Sequence, residues 1–491
     1  MASLMVVGTT SHAGKSLLTA VICRILARQG WRVTPFKGQN MALNAYVTAS
    51  GGEMGHAQAV QAWAAGVEPV VEMNPILLKP QGDMTSQVIL NGKVVGKVGA
   101  ADYYQEYFDL GWQAIQDALQ YLSQKFDWIV CEGAGSPAEI NLKHRDLTNM
   151  RVAKYLNAPT LLVVDIDRGG AFAHVIGTLE LLDPDERALI RGVIINKFRG
   201  QRSLLQSGIT WLEERTGIPV VGVIPWLDHA FPAEDSLDLF ERRANTKGDL
   251  NITVIRLPRI ANFTDFEPLE AESTVNLRYV NPSQPLGEPD AVILPGSKTT
   301  IADLMTLQTT GMAERLRNYA AAGGTIVGIC GGFQMLGHTL SDPTGLEGAA
   351  GEYSGLGLLP LSTVITAEKV TRQRQAIALY PEEIPIFGYE IHQGRTTVLE
   401  ALQPLFDDPS LGIANPNQLI WGTYLHGLFD NGSWRRAWLN QLRQQRGLKP
   451  LTTEVANYSE QREVFLDAVT DAVAAHLDLS PLMQAARGRE A

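Results

Sequence analysis

Two doubly wound α/β domains in tandem are the architecture this sequence predicts, and three observations carry that expectation. Short apolar runs alternate with helical stretches in both halves of the chain, the pattern of parallel sheets covered on both faces. A glycine-containing loop ending in Lys15-Ser16 joins the first apolar run to the first helix. Between the halves, residues 226–250 turn polar, with Pro232, Glu234-Asp235-Ser236 and a charged stretch up to Asp249. The expected organisation is a first domain over 1–228, a linker over 229–250, a second domain over 251–445 and a helical tail over 446–491.

Taken in order, Leu4-Met5-Val6-Val7 reads as a buried strand. The helix after the loop shows an apolar face at Leu17, Leu18, Val21, Ile22 and Ile25, and Gly30 ends it. Arg32–Phe36 is the next strand, followed by runs at 127–131, 160–165, 191–196 and 220–224, with helices at 104–125, 171–182 and 201–216. The second half repeats the alternation, with strands at 251–257, 290–294, 325–329 and 418–425 and a helix at 311–322. In the tail, Val464, Phe465, Ala468, Val469, Ala472, Val473 and Leu477 recur at helical spacing.

A chain of 491 residues exceeds one ordinary core, which agrees with two or three domains. A net charge of −11 argues against a general nucleic-acid or anionic-membrane surface. Cys23, Cys131 and Cys330 are too few and too scattered for a disulfide framework, and no apolar run approaches the roughly 18 residues of a membrane span. With no signal-peptide pattern, the expected location is the cytoplasm.

Gly8-Thr9-Thr10-Ser11-His12-Ala13-Gly14-Lys15-Ser16 is a phosphate-binding loop with one residue more than usual between its glycines. Small residues let backbone N–H groups face a phosphate, and the helix N-terminus adds its positive end. Thr9, Gly14, Lys15 and Ser16 are therefore candidate ATP-binding residues, with Lys15 reaching the β- and γ-phosphates and Ser16 holding Mg²⁺. Glu132, at the end of the strand that runs into Cys131, is the matching acidic Mg²⁺ candidate. Asn196, after another strand, suits either reading the base or capping the strand. Lys37, Gln39, Asn40, Asn44, Lys79, Asp146, Asp167 and Arg168 lie in post-strand loops or polar strings and are candidate substrate contacts.

Gly328-Ile329-Cys330-Gly331-Gly332 places a cysteine in a tight strand-to-helix turn, the nucleophile-elbow arrangement with sulfur in place of oxygen. The helix N-terminus favours the thiolate, and the Gly331 N–H is a natural oxyanion donor. His426, closing the 418–425 strand, is the candidate general base.

The loop, Lys37 in TPFKGQN and the EGAG turn resemble dethiobiotin synthetase, which activates a substrate oxygen as a mixed phosphate anhydride. That resemblance implies Glu53 as a second acidic Mg²⁺ position. The elbow resembles the class I glutamine amidotransferase domain, and LPGSKTT at 294–300 then occupies the oxyanion loop, with Gly296 and Ser297 as candidates. That family carries a glutamate two residues after the histidine, where this chain has Leu428, so the expected centre is a Cys330–His426 dyad. The longer strings FKGQNMALN, GEMGHAQAVQA, NPILLKP, DIDRGGAFAH and GYEIHQG resemble the cobyric acid synthase family over nearly the whole chain. Within the last string, His392 is a second-ranked base, and Tyr389 and Glu390 fall at the glutamine pocket or the domain contact.

The resemblance implies glutamine hydrolysis feeding ammonia to an ATP-activated carboxylate. The implied acceptor is adenosylcobyrinic acid a,c-diamide, amidated at its b, d, e and g positions. The implied partners are this corrinoid and L-glutamine, with ATP and Mg²⁺ and neither nucleic acid nor membrane. The alternatives are cobyrinic acid a,c-diamide synthase, with the same chemistry on other carboxylates, and a partition-type nucleotide-switch ATPase, which leaves Cys330 and His426 without a role.

Overall fold

The computed structural model describes residues 1–82, 84–99, 102–227 and 248–487. Of the expected linker, residues 229–247 lie outside the described residues, and 248–250 lead into the next strand.

The first domain is built on a six-stranded parallel sheet. Its spatial order is Val220–Pro225, Ile190–Phe198, Thr160–Asp165, Ala2–Gly8, Trp128–Glu132 and Val33–Phe36. All six are the apolar runs of the sequence. They are apolar throughout because helices cover both faces, so no alternation with solvent-facing residues is needed. The chain direction across the sheet reverses beside Ala2–Gly8, and the phosphate loop emerges at that point, where ligands bind in open parallel sheets. The helix Lys15–Arg28 follows directly, with Gly14 at its cap in a left-handed conformation, φ 98°.

The second domain carries a seven-stranded sheet in the order Val275–Val280, Leu250–Ile255, Ala291–Leu294, Thr325–Ile329, Ile420–Thr423, Gly412–Ala414 and Gln403–Pro404. The first five are parallel and the last two antiparallel. A second sheet was not evident in the sequence. It is dominated by a long antiparallel hairpin of Leu361–Ala378 and Ile384–Val398, half exposed and without the continuous apolar runs of the central strands. This hairpin carries the string GYEIHQG and pairs with the short strand Leu425–His426, setting Tyr389 opposite His426. In the first domain a small four-stranded sheet of Gln39–Met41, Ile76–Gly82, Thr85–Leu90 and Lys93–Gly99 fills the interval where no strands were expected.

The C-terminal region corrects the sequence reading. Helix Gly432–Gln445 belongs to the second domain, where Trp434 and Trp438 are fully buried in its core. Residues 446–457 form no helix, and helix Tyr458–Ala474 returns to the first domain. It lies against Lys15–Arg28 and His56–Ala64. Leu466, Val469 and Val473 are buried there, whereas Val464, expected on the apolar face, is 70% exposed. Arg24 and Arg28 pair with Glu463, Asp467 and Asp471 around the rim of this contact. Asp478 N–H then bonds the Val221 carbonyl at the sheet edge. Both domains are therefore clasped by the chain's own end. Among the described residues no helix is long and apolar enough to cross a membrane.

The buried face rather than the ionic rim should hold this helix. Leu466→Ala is expected to lower unfolding free energy by about 2–5 kcal/mol, and Arg28→Ala by less than about 1 kcal/mol, because its pairs are solvent-exposed. Denaturant melts of the two variants test the ranking.

Candidate active site

At the phosphate loop, Lys15 curls back so that its ammonium donates to the carbonyls of Thr10, at 3.1 Å, and Gly135, at 2.9 Å. The buried Thr9 hydroxyl makes no hydrogen bond among the described residues. Asn196 donates its amide to the Ala13 carbonyl at 2.8 Å, and a Cβ on Gly14 would lie 2.1 Å from that amide nitrogen. The asparagine thus props the loop from below, and only glycine leaves it room.

Glu132 is the hub of this site. One carboxylate oxygen accepts from Ser16 Oγ at 2.8 Å and pairs with Lys37 Nζ at 3.0 Å, and the other accepts from Gln61 Nε2 at 2.5 Å. A hydroxyl and a carboxylate side by side at the mouth of a phosphate loop are the oxygen donors that Mg²⁺ takes, so the residues fit the ion. Gln61 lies on helix His56–Ala64, within the string GEMGHAQAVQA, where it was not singled out as a site residue.

The other expected contacts divide. Gln39 accepts from Tyr103 Oη at 2.7 Å, and the buried Asn40 donates to Gln58 at 2.9 Å. Both belong to the segment running from Lys37 towards the second domain. Asp146 is instead consumed locally: its carboxylate accepts the backbone N–H groups of Thr148, Asn149 and Arg151 ahead of helix Met150–Leu156. Asp167 pairs with Arg199 at 2.8 Å on a partly exposed loop. The expectation for Glu53 is corrected. Both its oxygens are ion-paired, to Lys79 of its own domain and to Lys369 of the second, whereas Glu132 is the carboxylate bonded to Ser16. Burial alone would raise its pKa, but Lys369 and Lys79 outweigh that and hold it at about 2.

The second centre surrounds Cys330, which stands at the N-terminus of the short helix Gly331–Met335 with φ 51° and ψ −108°. This is a strained backbone for any residue with a Cβ, of the kind concentrated at active sites. The turn is possible because of its flanking glycines; a Cβ on Gly332 would lie 2.0 Å from the Leu294 carbonyl oxygen. The thiol lies 3.5 Å from the Ile391 carbonyl. Strand Gly296–Ser297 pairs with Ile260–Ala261, which brings the expected oxyanion loop over the elbow. A Cβ on Gly331 would lie 2.9 Å from Ser297 N, so the two backbone donors are neighbours, and Ser297 is itself held by Asp303 at 2.6 Å.

His426 is 1% exposed and lines the same small cavity as Cys330. Its Nδ1 lies 2.7 Å from Asp265 Oδ2, and the other oxygen of Asp265 accepts the Gly427 N–H at 2.9 Å. Asp265 thus adds a third group to the expected Cys330–His426 pair, arranged as a candidate triad. Leu428 leaves the usual acid position apolar, and Asp265 supplies the carboxylate from 161 residues upstream. Its signal in the sequence was an acid set between Phe263 and Phe266, but nothing local linked it to His426. Burial would lower the imidazole pKa; Asp265 and then Cys330 outweigh it and raise it to about 10. His392 is no rival base. Its two nitrogens face Gly394 O at 3.0 Å and Glu390 at 3.2 Å, and its ring stacks on Tyr424. Tyr389 stacks on His426 at 5.3 Å and reaches the first domain, whereas Glu390 is engaged by Arg372 and Arg374.

A small cavity of about 50 Å³ adjoins Cys330, lined by Lys298, Lys369, Glu347 and His426 of the second domain and by Lys79 of the first. Burial, reinforced by Lys369 and Lys79, lowers the Lys298 ammonium pKa to about 7.

Comparison with known proteins assigns each half of the chain to a domain family. Residues 4–238 match the CobQ/CobB/MinD/ParA nucleotide binding domain, and residues 251–434 match the CobB/CobQ-like glutamine amidotransferase domain. A cobyric acid synthase of Nostoc sp. is 70% identical over 98% of this chain and 99% of its own length. Those of Nostoc punctiforme and Synechococcus elongatus are 69% and 67% identical, covering 98% and 99% of this chain and all of theirs. Among solved structures, a glutamine amidotransferase aligns over 40% of this chain and 99% of its own at 15% identity, with a TM-score of 0.32.

Asp265→Asn should lower glutamine-dependent turnover by roughly 10²–10⁴-fold while leaving ammonia-dependent turnover intact. The folded His426 pKa lies above the unfolded value near 6.5, so its contribution to stability is full below that pH and is lost as the pH rises through about 10. The stability gap between wild type and Asp265→Asn should therefore close above pH 10, as checked by melts across pH.

Proposed function

The chain belongs to the cobyric acid synthase family, and on that premise we propose that it converts four peripheral carboxylates of adenosylcobyrinic acid a,c-diamide, b, d, e and g, into amides. The enzyme is an ATP-dependent glutamine amidotransferase of cobalamin biosynthesis. The observation that carries the mechanistic reading is Cys330 at one cavity with the buried His426–Asp265 pair, together with a phosphate loop, in one chain.

Glutamine is opened first. With His426 carrying the proton, Cys330 attacks the side-chain amide carbon as the thiolate. The oxyanion that forms sits between the backbone N–H groups of Gly331 and the Gly296-Ser297 strand. His426 hands its proton to the departing nitrogen, ammonia leaves, and a γ-glutamyl thioester remains on sulfur. Water then attacks that thioester, with His426 as base, and releases glutamate.

In the first domain a substrate carboxylate oxygen attacks the γ-phosphorus of ATP, and ADP departs. Lys15 and the N-terminus of helix Lys15–Arg28 face the charge on the transferring phosphoryl group. Thr9 offers its free hydroxyl at the loop, and Lys37, Gln39 and Asn40 hold the acceptor. Ser16 and Glu132 would hold Mg²⁺, which would supply neutralisation of the β- and γ-phosphate charge. Phosphorylation turns a poor leaving group into a good one: ammonia adds to the acyl phosphate carbon, phosphate leaves, and the amide remains.

Ammonia passes from Cys330 into the cavity that Lys79, Lys298 and Lys369 line. The reaction belongs in the cytoplasm, in keeping with three cysteines that are all free. Neither alternative is favoured: the whole-length relatives are cobyric acid synthases, and a partition-type ATPase has no use for the triad.

Cys330→Ala should abolish amidation from glutamine and retain it from ammonium salts, whereas Lys15→Ala should abolish both. Mass spectrometry of the corrinoid after incubation with ATP, Mg²⁺ and glutamine should show successive hydroxyl-to-amide replacements ending at four. Termination at fewer on the a,c-diamide refutes the assigned reaction.

A further inference from the structure

The geometry points to Asn44 of the first domain as a positioning residue for the glutaminase triad of the second. Asn44 was expected to touch substrate, but its side chain is 1% exposed and turned to the other domain. Its Oδ1 accepts the Phe263 N–H at 2.9 Å, two residues before Asp265. The next residue continues the clamp. Ala45 N–H donates to Asn262 Oδ1 at 3.0 Å, and the Ala45 carbonyl accepts Tyr389 Oη at 3.1 Å.

These three bonds reach both supports of His426. One support is the segment that delivers Asp265; the other is the Tyr389 ring stacked on the imidazole. The Asp265 segment is held by the core through Phe263 and Phe266, and by the Asn44 clamp at its start. It is a single short 3₁₀ turn, Phe263–Phe266, entered through Asn262 in the left-handed region at φ 52°. Asn262 also lies 3.5 Å from His426 Nε2 and directly follows the strand that pairs with Gly296-Ser297. Around the clamp, Ala42, Ala45, Val47, Leu77 and Ile89 of the first domain pack against Tyr389 and Ile391 of the second, so water is excluded and the bonds are stronger than on a surface.

The consequence is functional coupling. The segment that positions Asp265 is continuous with Asn40, Gln39 and Lys37, and Lys37 pairs with Glu132 at the phosphate site. A displacement of this segment moves Asp265 and Tyr389 together, so glutamine is opened efficiently only when the acceptor-side segment is seated. This inference rests on the glutaminase reading of Cys330.

The test uses the full-length chain and measures glutamine hydrolysis together with amidation from glutamine and from ammonium chloride. Asn44→Ala should lower kcat for glutamine by about 10–100-fold, the cost of misplacing a catalytic group by an ångström or so. KM for glutamine and ammonia-driven amidation should stay at wild-type values. Tyr389→Phe, which removes only the hydroxyl bonded to Ala45, should move kcat in the same direction by less. Unchanged glutamine kcat in Asn44→Ala overturns the inference, and so does a parallel fall in ammonia-driven amidation, which would return Asn44 to the acceptor site. Should Asn44→Ala fail to fold, Tyr389→Phe decides: wild-type kcat in it overturns the inference. A Cys330→Ala variant that hydrolyses glutamine normally would instead refute the underlying glutaminase reading.

Discussion

The short hydrogen bond between His426 and Asp265 is the contact on which the second domain's chemistry depends. Both groups are buried, so neither is stable there alone: an isolated carboxylate or imidazolium at such a site carries a heavy desolvation cost. Paired, they satisfy each other, with the second carboxylate oxygen closed by Gly427 N–H. The pair also decides which imidazole nitrogen faces the sulfur. In this way one bond sets tautomer, orientation and charge together, and the strained elbow at Cys330 needs only to present its sulfur to a base already fixed.

The same logic of mutual satisfaction recurs where the domains meet. Glu53 is tolerable in a fully buried setting because Lys79 and Lys369 approach it from opposite domains. Removing either lysine would leave charge uncompensated, so the bridge acts as a registration device as much as a source of affinity. With the Asn44 clamp and the apolar cluster around Tyr389, it makes the interface specific in direction as well as in place. The returning helix Tyr458–Ala474 closes the arrangement by packing the chain's C-terminal region onto its first helix.

Much of this was readable beforehand, and the reasons are physical. Central parallel strands are buried on both faces, so each appears as a short apolar run, and all ten expected strands correspond to strands of the two main sheets. Phosphate loop and nucleophile elbow are contiguous and backbone-driven, so glycine spacing alone reveals them. The hairpin Leu361–Ala378 and Ile384–Val398 was not readable, because its faces are mixed and its pairing is antiparallel at the rim. On the tail's expected apolar face, Phe465, Val469, Val473 and Leu477 do meet the first domain, whereas Val464 is exposed and the unexpected Leu466 is buried.

What the sequence by itself determined is the local chemistry: Lys15 and Ser16 at a phosphate loop, Glu132 at a strand end, and Cys330 in a turn that only its flanking glycines permit. These depend on near neighbours in the chain, and near neighbours leave patterns. What only the tertiary structure decided is which distant groups share a site. Asp265 took the place that Leu428 left apolar, Glu53 joined two lysines across the interface instead of a metal pair, and Asn44 turned from substrate towards the partner domain. Each of those outcomes depends on burial and on partners brought together by the sheets, so hydrogen-bond satisfaction across domains, and not spacing along the chain, assigned the roles.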